Sequence, residues 1–302
     1  MLLLAWIYLL LLSLFWGASF FFIEVGLFHL SPVWLVCLRL TSGALCLFIW
    51  LKLTVVTLPK HWQFWRDCIV MGVLNNLVPF CLIAWGQLSV TGGMASILNA
   101  NTAFFGVLVS ALFLKAEPLR TNRVFGVIIG VIGVACAVGV NPFLGQTGSI
   151  LGQLAIILAT LFYALAGVWG RAHLSVYPAL QGACGMLICS AVLSVPLAVM
   201  LEGMPSASLF RMGNLGTLIL LVLGIGVLGT AFAYPLYFKV LELAGASNLL
   251  LVTIIVPVFA LILDALLLGQ WVSHITLAGF LMIAFGLTLI DGRLYRHIRI
   301  SN

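Results

Sequence analysis

Ten apolar stretches, each about as long as a membrane-crossing helix, constrain this chain more than any other feature of its sequence. A hydrocarbon core about 30 Å thick needs roughly 20 apolar helical residues. Turn-forming pairs such as Ser31-Pro32 and Gly92-Gly93 separate the stretches. The ten predicted spans are residues 4–24, 33–51, 67–89, 93–114, 122–140, 149–170, 179–200, 215–239, 246–268 and 274–291. The pattern predicts an all-α integral membrane protein with ten transmembrane helices.

The composition points to lipid as the solvent of this chain. Of its 302 residues, 64% are hydrophobic and 7% are charged, whereas a soluble domain carries roughly 25% charged residues. The first apolar run, residues 2–25, lacks a basic leading region and is longer than the core of a signal peptide. We therefore interpret it as a span that is retained.

Signatures of catalysis and of metal binding are missing from the sequence. The seven cysteines form no CxxC pair and fall in or beside apolar segments, as small hydrophobic residues do. The five histidines are dispersed at the ends of spans, and no HExxH, GxSxG or Walker motif is present. The sequence predicts no metal site, no cofactor and no enzymatic activity.

Basic residues in the connections predict the orientation of the spans. Eleven of the thirteen Lys and Arg residues flank connections on one side of the predicted membrane or lie in the tail, and basic residues near span ends stay cytoplasmic. The prediction is a multi-pass protein of the cell (inner) membrane with both termini cytoplasmic, an outside linker at 141–148 and a cytoplasmic tail at 293–302. The formal charge of +6 is thereby explained without a nucleic-acid partner.

An internal repeat divides the chain into two copies. Glycines in the fifth predicted span recur at an offset of 153 residues in the tenth: Gly126, Gly133 and Gly139 match Gly279, Gly286 and Gly292. The copies are residues 1–140 and residues 149–292, with five spans each. Because five is odd, the second copy enters the membrane from the opposite face. The sequence therefore predicts two inverted five-helix repeats, an arrangement found in many secondary transporters.

The glycines of the fifth and tenth spans have a structural interpretation. Gly126 and Gly130 form a GxxxG pair, and small residues let helices approach closely in lipid. Neither span carries a polar side chain in its middle apart from Thr288. We expect these glycines to pack helices; a homo-oligomer through the glycine faces is the alternative.

Polar residues within the spans are the candidates for a substrate site, because such residues are costly in lipid and face a cavity or a partner. Prolines within helices free backbone carbonyls, and interrupted helices mark transport sites. The candidate substrate-binding residues are Trp16, Ser19, Asn75, Asn76, Asn101, Tyr163, Tyr234 and Thr253, and the candidate hinges are Pro79, Pro235 and Pro257. For any one residue, a purely structural role is an equal alternative.

Three charged residues within the apolar layer are candidates for coupling or gating. Glu24 and Arg39 lie in the first two spans, and Asp264 lies near an end of the ninth. Opposite charges in lipid are tolerated when they pair. We expect Glu24 and Arg39 to pair across the first hairpin as a structural clamp.

Three stretches resemble EamA-type transporters of the drug/metabolite transporter superfamily. The run LFWGASFFFIEVGLFHLSPVWLVCLRL (14–40) is similar to the opening of such proteins. The runs LFLKAEPLRTNRVFGVIIGVIGV (112–134) and LLLGQWVSHITLAGFLMIAFG (266–286) resemble the paired closing motifs of the two halves. The resemblance implies ten helices in two inverted halves, a central cavity, and transport of amino acids, other metabolites or drugs, in many members outward.

The chain departs from the family pattern at two positions. Pro257 keeps a proline of the family's fourth helix in the second half, but its counterpart in the first half is Phe104. The closing acid is present as Glu117 and is replaced by Gln270 in the second half.

Together these features favour a secondary transporter that exports amino acids or similar zwitterions by alternating access. Phosphorylated anions would require several cationic residues in the cavity, and only Arg39 is available. A carrier of another metabolite or drug class is the first alternative. A lipid-acting enzyme would need clustered His, Asp or Ser residues at one membrane face, and the sequence shows no such cluster. The inverted repeat gives no reason to favour a structural or channel-like protein.

Overall fold

The computed structural model describes residues 3–54, 56–113, 121–138, 149–204 and 212–291, and within them all regular structure is helical. The helices are α1 (Leu3–Leu27), α2 (Pro32–Leu53), α3 (Trp62–Gly86), α4 (Gly92–Phe113), α5 (Thr121–Val138), α6 (Ile150–Leu174), α7 (Ala179–Glu202), α8 (Leu215–Gly245), α9 (Val252–Leu268) and α10 (His274–Asp291). Of these, seven are long and apolar enough to cross a membrane, whereas α5, α9 and α10 are shorter. The predicted linker 141–148 and tail 293–302 lie outside the described residues.

Several helices are irregular at positions where polar residues occur. π-Helical turns cover Val73–Leu77 in α3, Val222–Phe232 in α8 and Asp264–Leu268 in α9. Helix α4 is interrupted at Ala100, between Gly92–Asn99 and Asn101–Phe113. A π-helical turn accommodates an extra residue and rotates the side chains that follow it, and such turns are frequent at functional sites.

The five helices of residues 3–138 pack mainly against the five helices of residues 150–291. Helix α1 packs on α8 and α9, α2 on α7 and α8, α3 on α6 and α7, α4 on α6 and α9, and α5 on α10. The largest hydrophobic core draws buried side chains from both sets, including Leu40 and Leu47 from the first and Ile156 and Leu187 from the second. The two segments therefore share one core.

Helices α5 and α10 meet through their glycines. A Cβ added at Gly126 would lie 2.6 Å from the carbonyl oxygen of Gly286, and one added at Gly133 would lie 2.8 Å from that of Gly279. Only residues without a Cβ permit this approach, so the prediction that the glycines pack helices is confirmed. Because these faces contact each other within one chain, they are not free surfaces for the homo-oligomer that the sequence also allowed.

A carboxylate of α7 caps the start of α2. One oxygen of Glu202 accepts hydrogen bonds from Ser31 Oγ at 2.5 Å and from the Trp34 amide at 3.1 Å. The other oxygen accepts from the Val33 amide at 3.0 Å. Unpaired N–H groups and the helix dipole make the start of a helix favourable for an anion. This contact joins the two segments at one end of the bundle.

We expect Glu202→Ala to lower the free energy of unfolding by about 1–2 kcal/mol, because the change removes a capping acceptor and its dipole interaction. Thermal unfolding of the purified protein in detergent measures the effect. Glu242→Ala is the matched control, since Glu242 pairs with Lys239 on an exposed surface and such pairs contribute little. Equal melting temperatures for the two variants would contradict the expectation.

Candidate functional site

Two asparagines of α3, a serine of α7 and a tyrosine of α8 form a hydrogen-bonded group in the interior, the amide–tyrosine cluster (Asn75, Asn76, Ser190 and Tyr234). Asn75 Nδ2 donates to the Tyr234 hydroxyl at 3.1 Å, and that hydroxyl donates to Asn76 Oδ1 at 3.0 Å. Asn76 Nδ2 donates to Ser190 Oγ at 3.1 Å. The cluster therefore connects one helix of the first segment with two helices of the second.

Local backbone features position this cluster. Asn75 and Asn76 lie in the π-helical turn Val73–Leu77, and Pro79 is the second residue after this turn. Ser190 Oγ also donates to the carbonyl of Met186 at 2.6 Å. A Cβ at Gly72 would lie 2.7 Å from Ser190 Oγ, so the glycine allows α7 to approach α3 closely enough for the Asn76 hydrogen bond.

Arg39 extends from α2 to the π-helical turn of α8. Its Nε donates to Thr230 Oγ1 at 3.0 Å, and its Nη2 lies 3.4 Å from the carbonyl oxygen of Gly229. The guanidinium carbon lies 3.8 Å from the centre of the Phe80 ring, in a cation–π contact. The residue is 7% exposed. Its partner Thr230 lies four residues before Tyr234 in α8, and Phe80 lies four residues after Asn76 in α3, so Arg39 contacts the two helices that carry Asn76 and Tyr234. Tyr163 of α6 packs against the main hydrophobic core.

The expected pairing of Glu24 with Arg39 is wrong. Glu24 Oε2 accepts a hydrogen bond from the Gly92 amide at 2.7 Å, and Gln270 Nε2 donates to Glu24 Oε1 at 2.6 Å. The carboxylate is thus satisfied at the start of α4, where unpaired amides favour an anion. Arg39 points instead toward Thr230 of α8.

Asp264 joins Glu24 at the start of α4. Asp264 Oδ2 accepts a hydrogen bond from the Gly93 amide at 2.5 Å. Its Oδ1 is buried and has no hydrogen-bond partner among the described residues. Adjacent amides of α4 therefore bind one carboxylate from α1 and one from α9. We call the end of the bundle that holds these contacts the Glu24 end.

Polar contacts also join the two segments at the opposite end, which we call the His61 end. His61 Nε2 and the Tyr177 hydroxyl are 2.8 Å apart, and Gln181 Nε2 donates to the carbonyl of Thr57 at 2.8 Å. Trp169 Nε1 donates to the carbonyl of Asp67 at 3.2 Å. Along α3, the amide–tyrosine cluster lies between these contacts and those of the Glu24 end.

Trp16 and Ser19 of α1 lie against α8. The Trp16 ring is 5.9 Å from the Tyr237 ring. Ser19 Oγ donates to the carbonyl of Phe15 at 2.8 Å, and the Ser19 side chain lies where a Cβ at Gly229 would project. Both residues therefore neighbour the helix that carries Thr230 and Tyr234.

Asn101 and Thr253, two further predicted site residues, bind backbone carbonyls near their own positions and not the cluster. Asn101 Nδ2 donates to the carbonyl of Leu98 at 2.7 Å, across the interruption of α4. Thr253 Oγ1 donates to the carbonyl of Leu250 at 2.6 Å. Asn101 thereby satisfies a carbonyl at the interruption of α4, and Thr253 satisfies one just before the start of α9.

The predicted hinges lie close to helix irregularities. Pro79 and Pro235 each follow a π-helical turn within three residues, and Pro257 lies inside α9 before the turn that begins at Asp264. Sequence reasoning missed Ser190, Thr230 and Phe80 as members of the site. Ser190 and Thr230 were detectable as polar residues within apolar spans, but no signal marked Phe80.

In the part of the chain that the structure describes, no group of three or more His, Cys, Asp and Glu side chains is placed to hold a metal ion.

The fold and the sequence are both similar to those of known proteins. A crystal structure of a protein with 19% sequence identity matches with a TM-score of 0.64, covering 95% of this chain and 98% of that chain. The chain is 24% identical over 275 residues to the uncharacterized transporter YoaV of Bacillus subtilis (strain 168), covering 91% of this chain and 92% of YoaV. It is 25% identical over 298 residues to a Salmonella typhimurium protein named "Probable amino-acid metabolite efflux pump", covering 97% of each.

Seven helices long and apolar enough to cross a membrane indicate a multi-pass membrane protein, and the family model that matches the chain makes it a transporter and not an enzyme. The model of the EamA-like transporter family matches residues 3–139 and residues 150–291. The chain therefore belongs to the EamA-like transporter family, as the resemblance of its sequence motifs implied.

Proposed function

We propose that this protein is a secondary transporter of the cell (inner) membrane that exports amino acids or similar zwitterions by alternating access. The amide–tyrosine cluster is the observation that carries the proposal. It places amides with both donors and acceptors between helices of the two segments. Such groups bind an ammonium and a carboxylate without requiring a matching fixed charge for each.

The proposal includes ten spans arranged as two inverted five-helix repeats, residues 1–140 and residues 149–292. Matches of the family model to both segments support it. The helix contacts support it as well. If each helix of the first segment is exchanged with its counterpart in the second, the contact of α1 with α9 becomes that of α6 with α4, and the contact of α2 with α8 becomes that of α7 with α3. Both of the resulting contacts are present. The π-helical turn at residues 73–77, shifted by 153 residues, falls inside the turn at 222–232.

Alternating access requires that each end of the bundle close in turn. In this proposal the contacts of Glu24 and Asp264 form the gate at the Glu24 end, and the His61–Tyr177 contact belongs to the gate at the His61 end. Pro79, Pro235 and Pro257 serve as hinges between them. In this proposal the His61 end and both termini are cytoplasmic, as the excess of basic residues in the connections on that side favours.

The substrate class follows from the charges and rings near the cluster. Arg39 is the single Lys or Arg that is buried among the described residues, which disfavours phosphorylated substrates. Trp16 and Tyr163 are available to cover the side chain of a substrate. The efflux-pump name of the Salmonella relative agrees with amino-acid export. A different metabolite or drug class within the same family is the alternative.

A substrate panel in proteoliposomes, with and without a proton gradient, tests the proposal. We expect amino acids to be transported, and Asn76→Ala to raise the half-saturation concentration about tenfold, because the loss of a desolvated hydrogen bond costs about 1–3 kcal/mol. Asn75→Ala should act in the same direction. Asn122→Ala is the matched control: Asn122 donates to the carbonyl of Leu289 between α5 and α10, away from the cluster. Equal transport by all three variants and the wild type would place the site elsewhere.

A further inference from the structure

We propose that Arg39 binds the carboxylate of the transported substrate. The transporter then selects zwitterions that bear a carboxylate over analogues in which a neutral group replaces it. The inference rests on the proposed function and deepens it. It assigns Arg39 to substrate recognition, whereas the sequence suggested gating or a structural ion pair.

The charge of Arg39 has no counter-ion among the residues whose side chains the structure describes. Of the seven Asp and Glu residues, the structure describes the side chains of five, and each has other partners. Glu24 and Asp264 bind amides of α4, Asp67 pairs with Arg66, Glu202 caps α2, and Glu242 pairs with Lys239. Among the described residues, no carboxylate lies within 4 Å of the Arg39 guanidinium.

The charge of Arg39 carries a high free-energy cost at its position in the protein interior. Arg39 is 7% exposed, and it is part of a helix long enough to cross a membrane. Its neighbours are neutral: the Thr230 hydroxyl, the Gly229 carbonyl and the Phe80 ring. A buried unpaired cation is strongly unfavourable, and ionisable residues inside membrane proteins serve ions or substrates. A substrate anion would neutralise the charge whenever the site is occupied.

The guanidinium of Arg39 has N–H donors left to bind a carboxylate. An arginine side chain carries five N–H donors in a planar fork that matches a carboxylate. Thr230 and Gly229 engage Nε and Nη2, and Phe80 covers one face. Nη1 has no hydrogen-bond partner among the described residues. The Thr230 hydroxyl donates to the carbonyl of Ile225 at 2.7 Å, so its oxygen is oriented to accept from Arg39 and holds the fork in place.

The amide–tyrosine cluster offers a position for the ammonium of the same zwitterion. Tyr234 lies four residues after Thr230, the partner of Arg39, and accepts a hydrogen bond from Asn75 Nδ2, so α8 links the guanidinium to the amide–tyrosine cluster. Asn75 Oδ1 receives no hydrogen bond from the described residues, and an amide oxygen is a suitable acceptor for an ammonium group. The carboxylate of a zwitterion at Arg39 and its ammonium at Asn75 match this distribution of donors and acceptors.

The test compares amino acids with their isosteric amides, which keep the ammonium and lose the negative charge. Leucine and leucinamide, and phenylalanine and phenylalaninamide, are the probe pairs for transport by the full-length protein in proteoliposomes. We expect wild-type protein to prefer each acid over its amide by about ten- to a hundredfold, as a charged hydrogen bond predicts. Arg39→Gln should abolish most of this preference, mainly by weakening transport of the acid, and Arg39→Lys should retain part of it.

The outcomes separate this inference from the proposed function. Transport of amino acids and amides at equal efficiency by the wild type would overturn the role of Arg39 and leave the transporter proposal standing. The same holds if Arg39→Gln weakens acid and amide by equal factors, as a structural arginine would. Transport of neither probe, nor of any member of the wider panel, would overturn the proposed function itself. The preference of the wild-type protein for acid over amide is measured without any variant, so the inference remains testable even if the Arg39→Gln protein folds poorly.

Discussion

Gly279→Ala is expected to lower the melting temperature of the purified protein by several degrees, although it adds a single methyl group. The added Cβ would lie 2.5 Å from the amide nitrogen of Ala137 and 2.6 Å from the carbonyl oxygen of Gly133. Both are backbone atoms of α5, so the strain is relieved only if α5 and α10 separate. Overpacking of a well-packed contact costs about 1–3 kcal/mol, and close van der Waals packing is the main attraction between helices in lipid.

Gly106→Ala provides a control with the same chemical change. A Cβ at Gly106 in α4 meets no atom within 4 Å, and alanine is favoured over glycine in a helix by about 1 kcal/mol. Its melting temperature should stay the same or rise. The Gly279→Ala protein that remains folded should keep its substrate affinity, because α5 and α10 contribute no residue to the amide–tyrosine cluster. Unchanged stability combined with lost affinity would instead assign these glycines to the site.

The sequence predicted those parts of the fold that follow from the physical requirements of a lipid environment. Lipid requires helices of a minimum length, so the apolar stretches indicated the positions of the helices directly. Glycines that recur at a constant offset likewise predicted the α5–α10 contact, because in apolar helices the absence of a Cβ mainly allows two backbones to approach closely. The central polar residues Asn75, Asn76 and Tyr234 were predicted for a similar reason, since polar groups in lipid need partners.

The sequence failed where a partner lies on the backbone or on a distant helix. Depth along a helix suggested that Glu24 and Arg39 were neighbours, but it specified neither the rotation of the helices nor their contacts. Glu24 binds the backbone amide of Gly92. Every residue other than proline has such an amide, so the sequence does not indicate which one will accept a carboxylate as its partner. Arg39 binds Thr230, which is 191 residues away.

π-Helical turns explain another part of the site that sequence patterns could not reveal. Asn75 and Asn76, Thr230, and Asp264 lie in three separate π-helical turns. Each turn shifts the helical phase by one residue, so the polar side chains leave the face that a regular helix would give them. A period of 3.6 residues therefore predicts the wrong orientation for these positions.

Asp264→Ala is expected to open the Glu24 end of the bundle. Asp264 of α9 binds the Gly93 amide of α4 at 2.5 Å, and Glu24 of α1 binds the neighbouring Gly92 amide at 2.7 Å. Gln270 adds a second link by donating to Glu24 at 2.6 Å. If this end is a gate, as the proposed function requires, these bonds stabilise its closed form and contribute nothing to an open one.

The size of the change follows from the bond that is lost. A hydrogen bond to a charged group contributes about 1.5–3 kcal/mol, so its removal should shift the equilibrium toward the open form by about tenfold or more. A reporter cysteine at Val90, which is 3% exposed, measures this shift in a protein whose native cysteines have been replaced. Its rate of reaction with a maleimide in detergent should rise by a similar factor in Asp264→Ala.

Glu242→Ala, which removes an acid from an exposed pair with Lys239, should leave the reaction rate at Val90→Cys unchanged. The comparison matters because loss of either acid alters the charge of the protein, whereas of the two only Asp264 binds the start of α4. A Val90→Cys reporter that reacts at the same rate in both variants and in the parent protein would show that Asp264 does not hold this end closed. Asp264 would then be a structural cap of α4, and the gate would have to lie at other contacts between the two segments, of which Glu202 with the start of α2 is the next to test.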